Sequence, residues 1–174
     1  MLGFQHRNLV LLTLFYFVQL VPGSFVADVN ADGKSGTFTG TWVANGSKET
    51  MLFGDNREVA LFKLSGHVNL KNEVGNESDY WSECIGLADT ETGSNIRCTW
   101  TSIDGEKKIF LVLKGEGLSK GNGVTGDFTS GTGATEGITG SLQFQWSSMS
   151  AHSVNDSTSI GGYAKELNGS YQLP

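Results

Sequence analysis

From Ser35 onward, apolar and polar residues alternate with a period of two. The runs are rich in Val, Ile, Thr, Phe and Trp, and clusters of Gly, Asn and Asp separate them. Such alternation puts every second side chain on one face of an extended strand, and the turn-forming clusters mark the strand ends. The pattern predicts eight strands: 36–44, 59–70, 80–88, 96–103, 108–114, 123–129, 140–147 and 157–171, the last broken near Gly161-Gly162. In the first, Phe38 and Trp42 share a face. In the second, Ala60, Phe62, Leu64, Val68 and Leu70 face one way and Lys63, Ser65, His67 and Asn69 the other. In the seventh, Leu142, Phe144 and Trp146 align. No segment carries an apolar stripe at helical spacing long enough to form a helix.

An all-β chain with short turns closes into a barrel or folds as a sandwich. Gly40, Gly66, Gly86, Gly126 and Gly140 fall inside strand patterns. Glycine there marks bends and corners, which a tightly curled sheet needs all round its wall. The reading is therefore an eight-stranded antiparallel β-barrel over 36–174, with a β-sandwich as the alternative. Its predicted interior is Phe38, Trp42, Phe62, Leu64, Trp100, Leu111, Phe128, Phe144 and Trp146.

Two cysteines, Cys84 and Cys98, are present. If strands three and four form a hairpin turning within residues 89–93, Cys84 faces Cys98 directly, close enough for a disulfide. The dipeptide Asp104-Gly105 predicts a two-residue hairpin turn next, which sets Trp100 opposite Ile109 and Cys98 opposite Leu111. The cysteines then face inward. Outward from the same strands point Glu83, Arg97, Lys108 and Lys114, but also Trp81, Ile85, Leu87, Phe110 and Val112. So much outward apolar surface suggests contact between copies of the chain.

The N-terminus changes the compartment. His6 and Arg7 precede the apolar stretch 9–21, and small residues follow at Gly23, Ser24 and Ala27. That is a secretory leader over 1–27, too short for a comfortable membrane span, and 28–35 reads as a flexible linker. No later run approaches spanning length, so the expected protein is secreted or periplasmic, where a disulfide persists. The chain has 174 residues and a net charge of −6 with no basic cluster, which argues against nucleic acid as a partner. Removing the leader and its Arg7 makes the charge more negative still.

The segment Ser130-Gly131-Thr132-Gly133-Ala134-Thr135-Glu136-Gly137-Ile138-Thr139-Gly140-Ser141-Leu142-Gln143-Phe144 resembles the glycine-rich hairpin of the allene oxide cyclase-like barrels, which include plant dirigent proteins and many secreted bacterial proteins. Gly36-Thr37-Phe38 and Val124-Thr125-Gly126-Asp127-Phe128 fit the short glycine-and-aromatic strands of that group. The resemblance implies an eight-stranded antiparallel barrel and, in characterised members, a trimer and an apolar cavity. No segment matches the cyclase's catalytic residues, so no catalytic role is carried over. Gly40-Thr41-Trp42 is similar to the G-x-W of lipocalins, but no late-strand Arg is there to pack on it; it reads as a core Trp.

Candidate chemistry is sparse. His67 and His152 stand far apart without metal-ligand spacing, and no nucleophile elbow or phosphate loop occurs. Glu73, Glu77, Asp79 and Glu83 read as a solvated rim. Asp28–Gly33 begins like a calcium loop but has no Glu at the twelfth position, where Thr39 falls. Asn45, Asn76, Asn155 and Asn168 head N-x-S sequons, which bear glycans only in a eukaryotic secretory route. No catalytic residue, metal or cofactor is predicted. The expected function is a non-catalytic secreted barrel that binds a small apolar ligand or a protein partner. The cavity candidates are Phe38, Trp42, Phe62, Trp100, Leu111, Phe144 and Trp146. Alternatives are a dirigent- or cyclase-like activity in the cavity and a purely structural protein with a filled core.

Overall fold

In the computed structural model of the chain, the described residues are 35–117, 121–154 and 157–174. The predicted leader and nearly all of the linker lie outside them. The described chain runs through β1 (Ser35–Leu52), β2 (Glu58–Asn72), β3 (Glu77–Asp89), β4 (Gly93–Ser102), β5 (Lys108–Gly115), β6 (Gly123–Thr132), a short 3-10 turn at Gly133–Thr135, β7 (Thr139–Val154) and β8 (Ser157–Gln172). Each strand pairs antiparallel with the next, and β8 returns to pair with β1, so the sheet is a closed eight-stranded barrel. Closure leaves no free sheet edge.

The inward face is the one that alternation selects. Phe38, Trp42, Leu64, Val68, Tyr80, Trp100, Leu111, Leu113, Phe128, Leu142 and Phe144 are all buried in one core. Cys84 and Cys98 are directly opposed and form a disulfide with Cα atoms 4.1 Å apart, facing this core. Leu64 and Leu111 flank them on the neighbouring strands. The bridge joins residues 14 apart in sequence. A loop of that size stabilises the fold by about 3 kcal/mol.

Three features differ from expectation. First, β1 continues past Ala44, the predicted end of the first strand, through Asn45-Gly46-Ser47. Asn45 pairs with Ser65, and the ladder continues to Leu52 opposite Glu58. Likewise β7 runs past Ser147 to Val154. Second, the link after β4 is a four-residue loop, not a two-residue turn: Ser102 N donates to Lys107 O, and the loop spans residues 103–106. Trp100 still pairs with Ile109, so the register is unchanged. Third, β8 is unbroken at Gly161-Gly162. Its own irregularity falls around Glu166, whose φ is +55°, while opposite the two glycines the extra residue is Met149 on β7.

The in-strand glycines have more than one cause, and Gly40 stands at a register shift between β1 and β8, as predicted for a bulge. Of Gly40, Gly66, Gly86, Gly126 and Gly140, positive φ occurs at Gly140, which sits at +136°. Gly86 and Gly126 serve close packing. A Cβ on Gly126 would lie 2.3 Å from Leu113 Cδ2, and one on Gly86 would lie 2.6 Å from Phe62 Cζ. Small inward residues beside large ones are how a narrow barrel fills its bore.

Trp100 is fully buried at the centre of that filling, against Trp42, Tyr80 and Phe128. Truncating Trp100→Ala is expected to lower unfolding free energy by about 3–5 kcal/mol, read from the denaturant midpoint. A change below about 1 kcal/mol would contradict this packing.

Candidate functional site

The barrel bore is divided by Trp42. Its indole is 2% exposed, and its Nε1 donates to Ser82 Oγ at 2.8 Å. Ser82 Oγ in turn donates to Gly66 O at 3.1 Å. The ring packs edge-on against Phe144 and Trp146, both at 5.4 Å between centroids, and against Trp100 at 6.4 Å. The G-x-W tryptophan is thus a core residue held by a serine hydroxyl.

One side of Trp42 is solid. Phe38, Tyr80, Trp100 and Phe128 interlock there, and Ile138 packs into the same cluster from the connection between β6 and β7. Thr135 Oγ1, in that connection, lies 2.7 Å from Lys108 O and ties it to β5. Burial raises the Tyr80 phenol above its ordinary pKa.

The other side is open. A cavity of about 320 Å³ lies between Trp42 and the end where β1 turns into β2, β3 into β4, and β5 into β6. Its wall is mostly apolar: Trp42, Phe62, Leu64, Ile96, Phe144 and Trp146. Of the seven predicted cavity residues, Trp42, Phe62, Phe144 and Trp146 meet here. Phe38, Trp100 and Leu111 do not line it. They face inward as predicted, but they lie among the side chains that fill the bore.

The mouth carries charge that sequence reading missed. Lys48 and Glu58 pair at 3.0 Å, and both line the cavity with Asp89 and Glu116. Lys48 keeps the parity of Phe38 and Trp42 along β1, and Glu58 keeps that of Ala60 and Phe62 along β2. Parity was the available signal, obscured because β1 was ended at Ala44. Arg57 donates to both oxygens of Asp89, at 2.6 to 3.1 Å, and reaches Glu91 at 3.4 Å. Its guanidinium also lies 5.2 Å above the Phe53 ring. Asp89 accepts from the backbone N–H of Glu91 and Thr92, which shapes the turn after β3. The Arg57 hydrogen bonds, then the Glu91 N–H, hold the Asp89 carboxyl well below the usual carboxylate range.

On the outer wall, Trp81, Ile85 and Leu87 are about half exposed, whereas Phe110 and Val112 are partly covered. His67 Nε2 lies 3.0 Å from Asp79, and both are exposed. Among the described residues there is no group of three or more His, Cys, Asp or Glu able to hold a metal, and no helix long and apolar enough to cross a membrane.

No family profile matches the chain, and no curated protein matches it. Among solved structures the barrel is similar to that of a pterocarpan synthase dirigent protein, with 13% identity, a TM-score of 0.40, and coverage of 79% of this chain and 86% of that one. A likeness that distant adds nothing about chemistry; the barrel architecture rests on this chain's own strand pairing.

The Asp89 clamp has a pH signature. Its carboxyl titrates lower in the folded chain than in the unfolded one, so the stability it supplies is complete above the unfolded value of about 4 and is lost as pH falls below it. Thermal unfolding at stepped pH should show the midpoint falling below about pH 4. In Arg57→Ala, that acid-dependent fall should be shallower and the neutral-pH midpoint lower. Parallel curves for the two proteins would exclude Arg57 as its cause.

Proposed function

We propose that this chain is a non-catalytic binding protein whose barrel holds a small apolar molecule at its open end. The observation that carries the reading is the aromatic-walled cavity of about 320 Å³, a size in the range of small-molecule sites. Its floor is fixed before any ligand arrives, because Trp42 is locked by Ser82 and three neighbouring rings. A preformed apolar site loses little entropy on binding. The disulfide supports work outside a reducing cytosol, in a secreted or periplasmic setting. Asp89, the cavity carboxylate with a displaced pKa, is held ionised by Arg57. That suits an ion-pair clamp better than a general acid at neutral pH.

The neutral fluorophore N-phenylnaphthylamine tests this reading. It should bind saturably with one site per chain, with blue-shifted emission. Trp146→Ala, at the half-buried wall, should weaken binding by about tenfold, the effect of losing one large apolar contact. Absence of saturable binding would reject the reading.

The outer wall supports a second, compatible reading, in which a copy of this chain covers it. Ile85 sits between Lys63 and Arg97 on the adjacent strands, and Glu83 lies one inward residue away. Cations and an anion in one apolar patch suit a self-complementary contact between copies. Light scattering should then give a multiple of the chain mass, and Ile85→Glu should reduce it to the monomer. A monomer in the unaltered protein at high concentration would reject the contact.

A further inference from the structure

Resting on the reading of the cavity as a binding site, we infer that its ligand is a lipophilic organic cation, an ammonium group on an apolar body, with Glu116 as its counter-charge. Four aromatic rings line the cavity, those of Trp42, Phe62, Phe144 and Trp146. Aromatic faces carry negative potential, so a desolvated cation gains from them what a neutral group or an anion does not.

The charges at the mouth point the same way. Three carboxylates and one ammonium line the cavity: Glu58, Asp89 and Glu116 against Lys48. Lys48 is engaged by Glu58 at 3.0 Å. Asp89 is held by Arg57. Glu116 forms no ion pair among the described residues. Its placement is built into the chain. Its backbone N–H donates to Gly123 O at 3.0 Å, fixing it beside the start of β6. A Cβ on Gly123 would come 3.0 Å from Glu116 Oε2, and one on Gly121 would come 3.3 Å from the same atom. The two glycines therefore leave the carboxylate its space at the mouth. An anion entering would meet this carboxylate and the field of a chain whose net charge is −6.

Calorimetric titration with three probes of one aromatic core separates the possibilities: naphthylmethylammonium, naphthylmethanol and naphthoate. The ammonium should bind about tenfold tighter than the alcohol, the scale of one desolvated cation–π contact with a counter-charge, and naphthoate should bind most weakly. In Glu116→Gln the ammonium-to-alcohol ratio should fall toward one, and in Glu116→Lys naphthoate should overtake the ammonium. Glu116 is exposed, so near-ultraviolet circular dichroism should stay that of the unaltered barrel in both variants. Equal binding of the ammonium and the alcohol, or a ratio that survives both substitutions, overturns the cation assignment while leaving the cavity as an apolar site. Failure of all three probes to bind rejects the cavity reading and the cation assignment with it.

Discussion

The hydrogen bond from Trp42 to Ser82 organises the interior. An indole inside a narrow barrel is a large apolar plate with one polar atom that must be satisfied. Ser82 satisfies it and donates a hydrogen bond from its own hydroxyl to Gly66 O, so the plate is tied to the two strands beyond its own. A fixed plate across the bore has two consequences. Below it, side chains meet that surface and fill the bore. Above it, the same surface is a floor, and the void over it keeps its shape. The contrast with Trp100 is instructive. Its Nε1 is buried without a hydrogen-bond partner among the described residues. That costs about 1–3 kcal/mol, which the surrounding aromatic burial must offset.

Barrel closure, the eight strands and the inward face were legible because alternation and burial coincide over most of each strand. The Cys84–Cys98 pairing was legible because hairpin register is set by the turn, and the observed ladder places them opposite each other. The Trp100–Ile109 pairing survived a wrong turn type, since loops of two and four residues centred on the same point give the same register. What was hidden lies at the open end. β1 was cut short at Ala44 because Gly46 and Lys48 are inward residues that are not large and apolar. Beside a solvated cavity mouth an inward residue need not be apolar, so alternation fades where the strand still continues. The same argument accounts for the unread end of β7, where Ser148 and Ala151 line the cavity. The loss of pattern was itself the mark of the site.

The cavity candidates divide between the open and the filled parts of the bore for a related reason. Period two tells which side chains enter the bore but says nothing of their height along its axis. Phe38, Trp100 and Leu111 share the face of Phe62 and Trp146, yet lie among the side chains that fill the bore. Height follows from strand stagger, which needs all eight registers at once. Two of the interior glycines owe their place to the same kind of cross-strand fact. At Gly86 and Gly126 an absent side chain is the space into which Phe62 and Leu113 project, a fact of pairing across strands rather than of local bending.

The division of the barrel also separates two kinds of stabilisation. The filled half is held by apolar burial. The open half is held by polar ties between hairpins. Arg57, next to β2, grips Asp89 at the end of β3. Glu58 N donates to Thr90 Oγ1 at 3.1 Å, and Thr90 N returns a bond to Glu58 O at 3.1 Å. Lys48 on β1 reaches Glu58 on β2. Among the described residues of its lining, no side chains brace the open mouth across the bore, and the polar ties lie at its rim. Ion pairs of this kind are partly exposed and individually weak. They suffice here because the floor has already been set by Trp42, and the rim needs only to hold neighbouring hairpins in register around it.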